Sequence, residues 1–116
     1  MKKVVYFFAI FLLTLSFTGC FLFEEDKSEY MYEVTGTSTS YSVTIQNADD
    51  NTQQWSSVSS GWWYKWEQTG ERWLYVSAQN NKSSGNVTVK IYKDGKVIAQ
   101  NTSYGGYTIA TVSGTH

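Results

Sequence analysis

The sequence is short of the residues that catalytic sites and crosslinked frameworks need: it contains no proline, one cysteine and one histidine. Without proline, the turns must be made by glycine, asparagine and aspartate. The single cysteine, Cys20, excludes a disulfide within the chain and any metal site built from several cysteines. The only histidine, His116, is the last residue and is expected to be frayed, which leaves a Ser-His-Asp or Cys-His site without a base. The composition therefore predicts a protein that is not an enzyme.

The charged residues indicate no site either. Asp49 and Asp50 lie in a polar stretch that lacks the alternating acidic spacing of a calcium-binding loop, so a simple turn is the better interpretation. Glu67 and Glu71 flank a predicted tight turn with no sign of the cleft that a glycosidase needs. Basic residues do not cluster, as a nucleic-acid-binding surface requires. We expect no metal, no cofactor and no nucleic-acid partner.

The first nineteen residues have the features of a secretory signal peptide. Two lysines follow Met1, and residues 4–17 form an uncharged, mostly apolar run. A membrane-spanning helix needs about 20 such residues, so the run is too short for a comfortable span and is typical of a signal peptide. It ends in SFTGC, with small residues directly before Cys20. This ending resembles the lipobox of bacterial lipoproteins, although Phe17 stands where leucine is usual.

A lipobox predicts attachment of a diacylglycerol to the thiol of Cys20 and cleavage after Gly19. Each buried methylene contributes about 0.8 kcal/mol, so two or more acyl chains hold a protein stably at a membrane. Residues 20–29 would then be a lipidated acidic tether of a bacterial envelope lipoprotein, at the outer membrane or the cell surface in a Gram-negative cell. The alternatives are an ordinary signal peptide with an incidental cysteine and a short uncleaved anchor.

The rest of the chain, residues 30–116, consists of short β-like runs separated by polar turns. Apolar and polar residues alternate in several of them, which is the pattern of half-buried strands. Asp94-Gly95 predicts a two-residue type I′ hairpin, because both positions tolerate positive φ. Strands are predicted at residues 41–46, 62–68, 72–78, 87–92, 97–101 and 107–113. The pattern predicts an all-β, immunoglobulin-like antiparallel β-sandwich of about seven strands.

Five tryptophans lie between positions 55 and 73, and strand parity predicts which of them face the core. In residues 62–67, alternation puts Trp63 on the same face as Lys65 and Glu67. Burying those two charged groups unpaired would be costly, so this face is predicted to be exposed. The opposite, inward face carries Trp62, Tyr64 and Trp66.

The same argument applies to the next predicted strand, where aliphatic residues alternate with Trp73 and Tyr75. The aliphatic residues are the natural inward set, which turns the two aromatic side chains outward. Trp63, Trp73 and Tyr75 are therefore the candidate partner-binding or ligand-binding residues, because an exposed aromatic patch usually marks an interaction site. The alternative is that these aromatics only plug a small core or cover a sheet edge.

Four segments together resemble the MmpS family of membrane-associated transport accessory proteins over roughly residues 32–114. They are YEVTG at 32–36, VSAQN at 76–80, IYKDGKV at 91–97 and NTSYGGY at 101–107. The resemblance implies a small β-sandwich outside the cytoplasmic membrane that assists a large exporter. Two features depart from the family: a lipidated cysteine replaces its usual uncleaved helix, and Val89 and Val112 stand where it tends to have two cysteines. We expect these two valines to touch.

Three functions are compatible with these features. The principal hypothesis is an accessory or adaptor domain, lipid-anchored through Cys20, with a protein partner in an envelope transporter or assembly. The alternative is a cell-surface module that binds carbohydrate or an apolar ligand through its exposed aromatics. An inert structural or inhibitory lipoprotein is the third, since similarity of fold does not determine function.

Replacing Cys20 with alanine tests the predicted anchor. The variant has no thiol to accept the lipid, so we expect it to leave the membrane fraction and to partition into the aqueous phase of a detergent extract. Unchanged partitioning into the detergent phase would contradict lipidation at this residue.

Overall fold

The structure, a computed structural model, describes residues 27–116. The predicted signal peptide and Cys20 lie outside the described residues. The described residues form strands and no helix, and so contain no helix long and apolar enough to cross a membrane. The eight strands are β1 (Lys27–Thr35), β2 (Tyr41–Gln46), β3 (Thr52–Val58), β4 (Trp62–Thr69), β5 (Trp73–Asn80), β6 (Asn86–Lys93), β7 (Lys96–Tyr104) and β8 (Ile109–Thr115).

The strands form two four-stranded antiparallel sheets that pack face to face, which confirms the predicted β-sandwich. Sheet I has the strand order β4-β1-β6-β7, and sheet II has the order β3-β2-β5-β8. Among the strands of residues 27–116, only β2–β3 and β6–β7 form hairpins. Every other connection in the described chain crosses from one sheet to the other.

All six predicted strands are present, with differences at their bounds. The strand β3 was not predicted, because its sequence TQQWSSV is largely polar and its residues alternate poorly. The strand β1 begins at Lys27, inside the segment interpreted as a tether. The predicted hairpin at Asp94-Gly95 is confirmed: both residues have positive φ, 52° and 83°, and Lys93 pairs with Lys96 across the turn.

The expectation that the last residue is frayed is wrong. The backbone N–H of His116 donates to the carbonyl of Arg72 (3.1 Å), and the N–H of Arg72 donates to the carbonyl of His116 (3.2 Å). The hydroxyl of Tyr30 also donates to the His116 carbonyl (3.2 Å). The end of the chain is therefore tied to both sheets.

The core combines β-branched side chains with a column of aromatic rings. Trp66 lies against Tyr30, Tyr32 and Tyr64, with ring centroids 5.5, 4.9 and 5.6 Å away. Trp55 of β3 reaches across from sheet II and packs on Trp62 of β4 at 4.8 Å. These contacts confirm that the face of β4 opposite Lys65 points inward. Large rings bury much apolar area, so a small domain gains most of its packing from few residues.

Both valines that stand at the cysteine positions of the MmpS family face the interior. Val89 on β6 is fully buried, and Val112 on β8 is partly buried and packs against the same core. The strands β6 and β8 belong to different sheets and lie close together.

The open side between β7 and β8 is closed by polar side chains. The amide of Asn101 donates to the carbonyl of Thr111 (3.2 Å), and the hydroxyl of Ser103 donates to the carbonyl of Ile109 (2.7 Å). These bonds satisfy backbone groups of an edge strand that would otherwise be available to pair with another chain.

Truncation of Val89 tests the placement of β6 in the core. We expect Val89→Ala to lower the free energy of unfolding by roughly 0.5–2 kcal/mol, because it leaves a cavity at a fully buried site. Val97→Ala is the matched control, since Val97 is 43% exposed and surface changes are usually within about 0.5 kcal/mol. Equal stability of the two variants in urea denaturation would contradict this placement.

Candidate binding surface

The three candidate aromatic residues do not share one surface. Trp63 lies on the outer face of sheet I, whereas Trp73 and Tyr75 lie on the outer face of sheet II. The reason is that β4 pairs with β1 while β5 pairs with β2 and β8, so the short link at 70–72 carries the chain from one sheet to the other. The prediction that all three are turned away from the core is confirmed, but a single patch of three rings is not formed.

Trp73 and Tyr75 form a stacked pair on β5. Their ring centroids are 5.5 Å apart and the planes differ by 22°. Trp73 is 48% exposed, while Tyr75 is partly buried. Residues two apart on a strand point to the same side, which is why the two rings meet. The pair stands at the start of β5, where the strand pairs with β8 alone, because its ladder with β2 ends at Val76.

Charge is distributed very unequally between the two sheets. Within residues 27–116, no strand of sheet II contains a lysine, arginine, aspartate or glutamate, and every charged residue that lies in a strand belongs to sheet I. We call the outer face of sheet II the uncharged face. Its outward residues, assigned from the strand register, are Ser42, Thr44, Gln46, Thr52, Gln54, Trp73, Tyr75, Ser77, Gln79, Ile109, Thr111, Ser113 and Thr115.

A row of polar side chains crosses the uncharged face beside the aromatic pair. Thr44 pairs with Gln54 on one side and with Ser77 on the other, and Ser77 pairs with Thr111. Within the row, the Gln54 amide donates to the Thr44 hydroxyl (3.3 Å) and the Thr111 hydroxyl donates to that of Ser77 (3.0 Å). Hydroxyl groups both donate and accept hydrogen bonds, so the row can still bind polar ligand groups.

A shallow depression of about 430 Å³ lies at the β2–β3 side of this face. It is lined by Ser42, Thr44, Gln54 and Ser56, together with Val43 and Trp55. The hydroxyl of Ser42 donates to the backbone carbonyl of Ser56 (2.9 Å), across a β-bulge that shifts the register of the two strands. The depression and the aromatic pair therefore lie on the same face.

The surroundings of Trp63 are different. The Lys65 ammonium lies 5.4 Å from the Trp63 ring centroid and 4.0 Å from a carboxylate oxygen of Glu29. Further along this face, the Tyr92 hydroxyl donates to Glu33 (2.7 Å). This bond, with some desolvation, raises the pKa of Tyr92 to about 12. Trp63 is thus one member of a charged surface.

Tyr32 supports the uncharged face from beneath. The ladder between β2 and β5 ends at the pair Ile45–Val76. Beyond it, the backbone N–H of Tyr75 donates to the hydroxyl of Tyr32 (3.2 Å), which itself donates to the carbonyl of Gln46 (2.8 Å). Tyr32 is fully buried, and this burial raises the pKa of its hydroxyl to about 12. A hydroxyl from sheet I therefore completes the hydrogen bonding of sheet II at Tyr75.

Arg72 fixes the chain just before Trp73. Its guanidinium donates to the carbonyls of Ala48 (2.8 Å) and Asn47, and lies 3.4 Å from a carboxylate oxygen of Asp50. The polar turn predicted at residues 47–51 is thereby tied to the start of β5. Charged hydrogen bonds of this kind are stronger than neutral ones, so the position of Trp73 is well defined.

Sequence reasoning missed a second exposed group of large side chains. Tyr104 is 76% exposed, Tyr107 is 60% exposed and Ile109 is 54% exposed. They lie around the β7–β8 connection, at the end of the sandwich opposite Lys27. The buried amide of Asn80 holds this region, because it donates to the carbonyls of Ser84 and Gly105. Residues 107–113 were predicted as a strand that follows a turn. The exposure of the large side chains in this region depends on the position of β8 in sheet II, which local alternation does not show.

Among the described residues, no three histidine, cysteine, aspartate or glutamate side chains are grouped as metal ligands. A scan of models of known protein families and a search of curated proteins gave no match to this chain. The resemblance to the MmpS family stays a prediction.

Removal of the Tyr32 hydroxyl tests its role. We expect Tyr32→Phe to lower the free energy of unfolding by about 1–3 kcal/mol below pH 10, because the Tyr75 N–H and the Gln46 carbonyl lose a buried partner. Since the pKa rises from 10.0 to about 12 on folding, the stabilising effect of the hydroxyl is complete below pH 10 and is lost as the pH rises from 10 to 12.

The difference in stability between Tyr32→Phe and the unchanged protein should therefore shrink over that pH interval in urea denaturation. Tyr104→Phe is the control for general alkaline loss, since the side chain of Tyr104 is 76% exposed. A difference for Tyr32→Phe that does not change with pH would contradict the assignment.

Proposed function

We propose that this protein is a lipid-anchored, non-catalytic binding module of the bacterial cell envelope, whose binding surface is the uncharged face. The observation that carries the proposal is the exposed Trp73–Tyr75 stack on a sheet whose strands contain no charged residue. An exposed aromatic pair surrounded by uncharged polar groups has the composition of a recognition surface, with apolar area and hydrogen-bonding groups side by side.

Rigidity supports this proposal. The aromatic pair stands on the part of β5 that pairs with β8, and Tyr32 and Arg72 hold the backbone at Tyr75 and before Trp73. A ligand therefore meets side chains that are already ordered, and little conformational freedom is lost on binding.

The second candidate is an accessory or adaptor role for an envelope transporter or assembly. The observation that favours it is the exposed group of Tyr104, Tyr107 and Ile109, at the opposite end of the domain from Lys27. A chain anchored through Cys20 would then be held by one end and present this group to a protein at the other.

The two exposed tryptophans allow a matched test of the binding surface. Full-length protein in detergent is mixed with envelope material from which the lipids have been extracted, and the bound fraction is measured by co-sedimentation. We expect Trp73→Ala to weaken binding about tenfold, a loss of about 1.4 kcal/mol. Trp63→Ala removes a similarly exposed ring from the other sheet and should leave binding within about twofold of the unchanged protein.

Equal effects of the two substitutions would contradict the assignment of the uncharged face. A double variant, Tyr104→Ala with Tyr107→Ala, distinguishes the candidates. Loss of binding in the double variant, with Trp73→Ala unaffected, would favour the accessory role.

A further inference from the structure

The absence of charge on the uncharged face limits the chemistry of its ligand. Anionic ligands such as phosphates and uronic acids are recognised by arginine and lysine, which supply charge-assisted hydrogen bonds. None of the four strands of sheet II contains such a residue, and none contains a carboxylate that could pair with a cation. Arg72 and Asp50 lie at the border of the face, where Asp50 accepts from the Gln46 amide (2.6 Å), but these two charges are paired with each other. Since desolvating a charged group without a partner is costly, the strands of the face are complementary to a neutral ligand.

The hydrogen-bonding groups of the face suit a ligand that is rich in hydroxyl groups. The row across the sheet consists of the hydroxyls of Thr44, Ser77 and Thr111 and the amide of Gln54. Each of these groups can donate and accept, as a sugar hydroxyl can. The row repeats at the separation of neighbouring strands, about 4.8 Å, which is close to the length of one sugar unit in an extended chain.

The aromatic pair and the depression supply two further features of such a surface. The Trp73 ring is 48% exposed, and an aromatic ring of this kind can stack on the face of a pyranose that bears its C–H bonds. The residues that line the depression at the β2–β3 side include Ser42, Thr44, Ser56 and Gln54, which all carry uncharged polar side chains. The depression is level with Ser77 and Gln79, further along β5 than the aromatic pair, so a chain of sugars running obliquely across the strands would contact both.

A protein partner fits the same face less well. The central part of a protein interface is mostly apolar, whereas the large apolar side chains on this face are Trp73, Tyr75 and Ile109, among serine, threonine and glutamine. Ile109 is on the edge strand β8, so it does not extend the aromatic pair into a continuous apolar patch.

We infer that the uncharged face binds a neutral polysaccharide, which runs obliquely across the strands of sheet II from the Trp73–Tyr75 pair to the depression between β2 and β3. This inference rests on the proposed function and names the class of ligand for the same surface. Trp73 provides the stacking contact, and Thr44 contributes a hydroxyl that belongs to both the polar row and the depression.

Affinity electrophoresis of the full-length protein in detergent tests the inference. The gels contain either a neutral polysaccharide (a β-glucan, a mannan or a xylan) or an acidic one (polygalacturonate or alginate). We expect at least one neutral polysaccharide to retard the protein, with little change between low and high salt, since no ion pair is involved. Trp73→Ala should weaken retardation about tenfold and Thr44→Val several-fold, while Trp63→Ala should leave it unchanged.

The outcomes separate the ligand class from the proposed function. Retardation by acidic polysaccharides alone, dependent on Trp73 and weakened by salt, would overturn the neutral ligand and leave the binding surface in place. No retardation by any polysaccharide, with co-sedimentation that still depends on Trp73, would overturn the glycan in favour of a protein partner. Independence of both measurements from Trp73 would remove the proposed function itself.

Discussion

The hydroxyl of Tyr32 joins the two sheets at the point on which the candidate surface depends. It belongs to sheet I, yet it accepts the Tyr75 N–H and donates to the Gln46 carbonyl where the ladder of sheet II ends. The ring of the same residue packs on Trp66 and so contributes to the core. Because a buried polar group without a partner is costly, the two sheets have one favourable alignment here. That alignment sets the direction in which β5 presents its aromatic pair.

The two outer faces of the sandwich differ in charge, although both carry an exposed tryptophan. Trp63 is surrounded by the charged residues of sheet I, including Lys65 and Glu29. Trp73 stands among hydroxyl and amide groups, with no charged residue in any strand of its sheet. This difference is the basis of the proposed function, in which sheet II binds a neutral ligand and the charged face of sheet I is solvated.

Much of the fold could be predicted, because successive residues of a half-buried strand face the core and the solvent in turn and therefore alternate between apolar and polar. The inward direction of Trp66, the outward direction of Trp73 and the turn at Asp94-Gly95 follow from this local rule and are confirmed. The strand β3 could not be predicted in the same way, because an edge strand with one exposed side tolerates many polar residues. The fraying expected at His116 was wrong, since the pairing with Arg72 is a contact between distant residues.

By itself, the sequence determined the class of the domain and the direction in which the aromatic side chains of β4 and β5 point from their strands. It also determined that residues 27–116 have one histidine and no cysteine with which to build a catalytic site. Only the tertiary structure decided which strands share a sheet, and therefore that Trp73 and Tyr75 belong to one surface and Trp63 to another. The physical reason is that alternation records whether a residue is buried, whereas the partner of a strand depends on how the whole chain closes around its core.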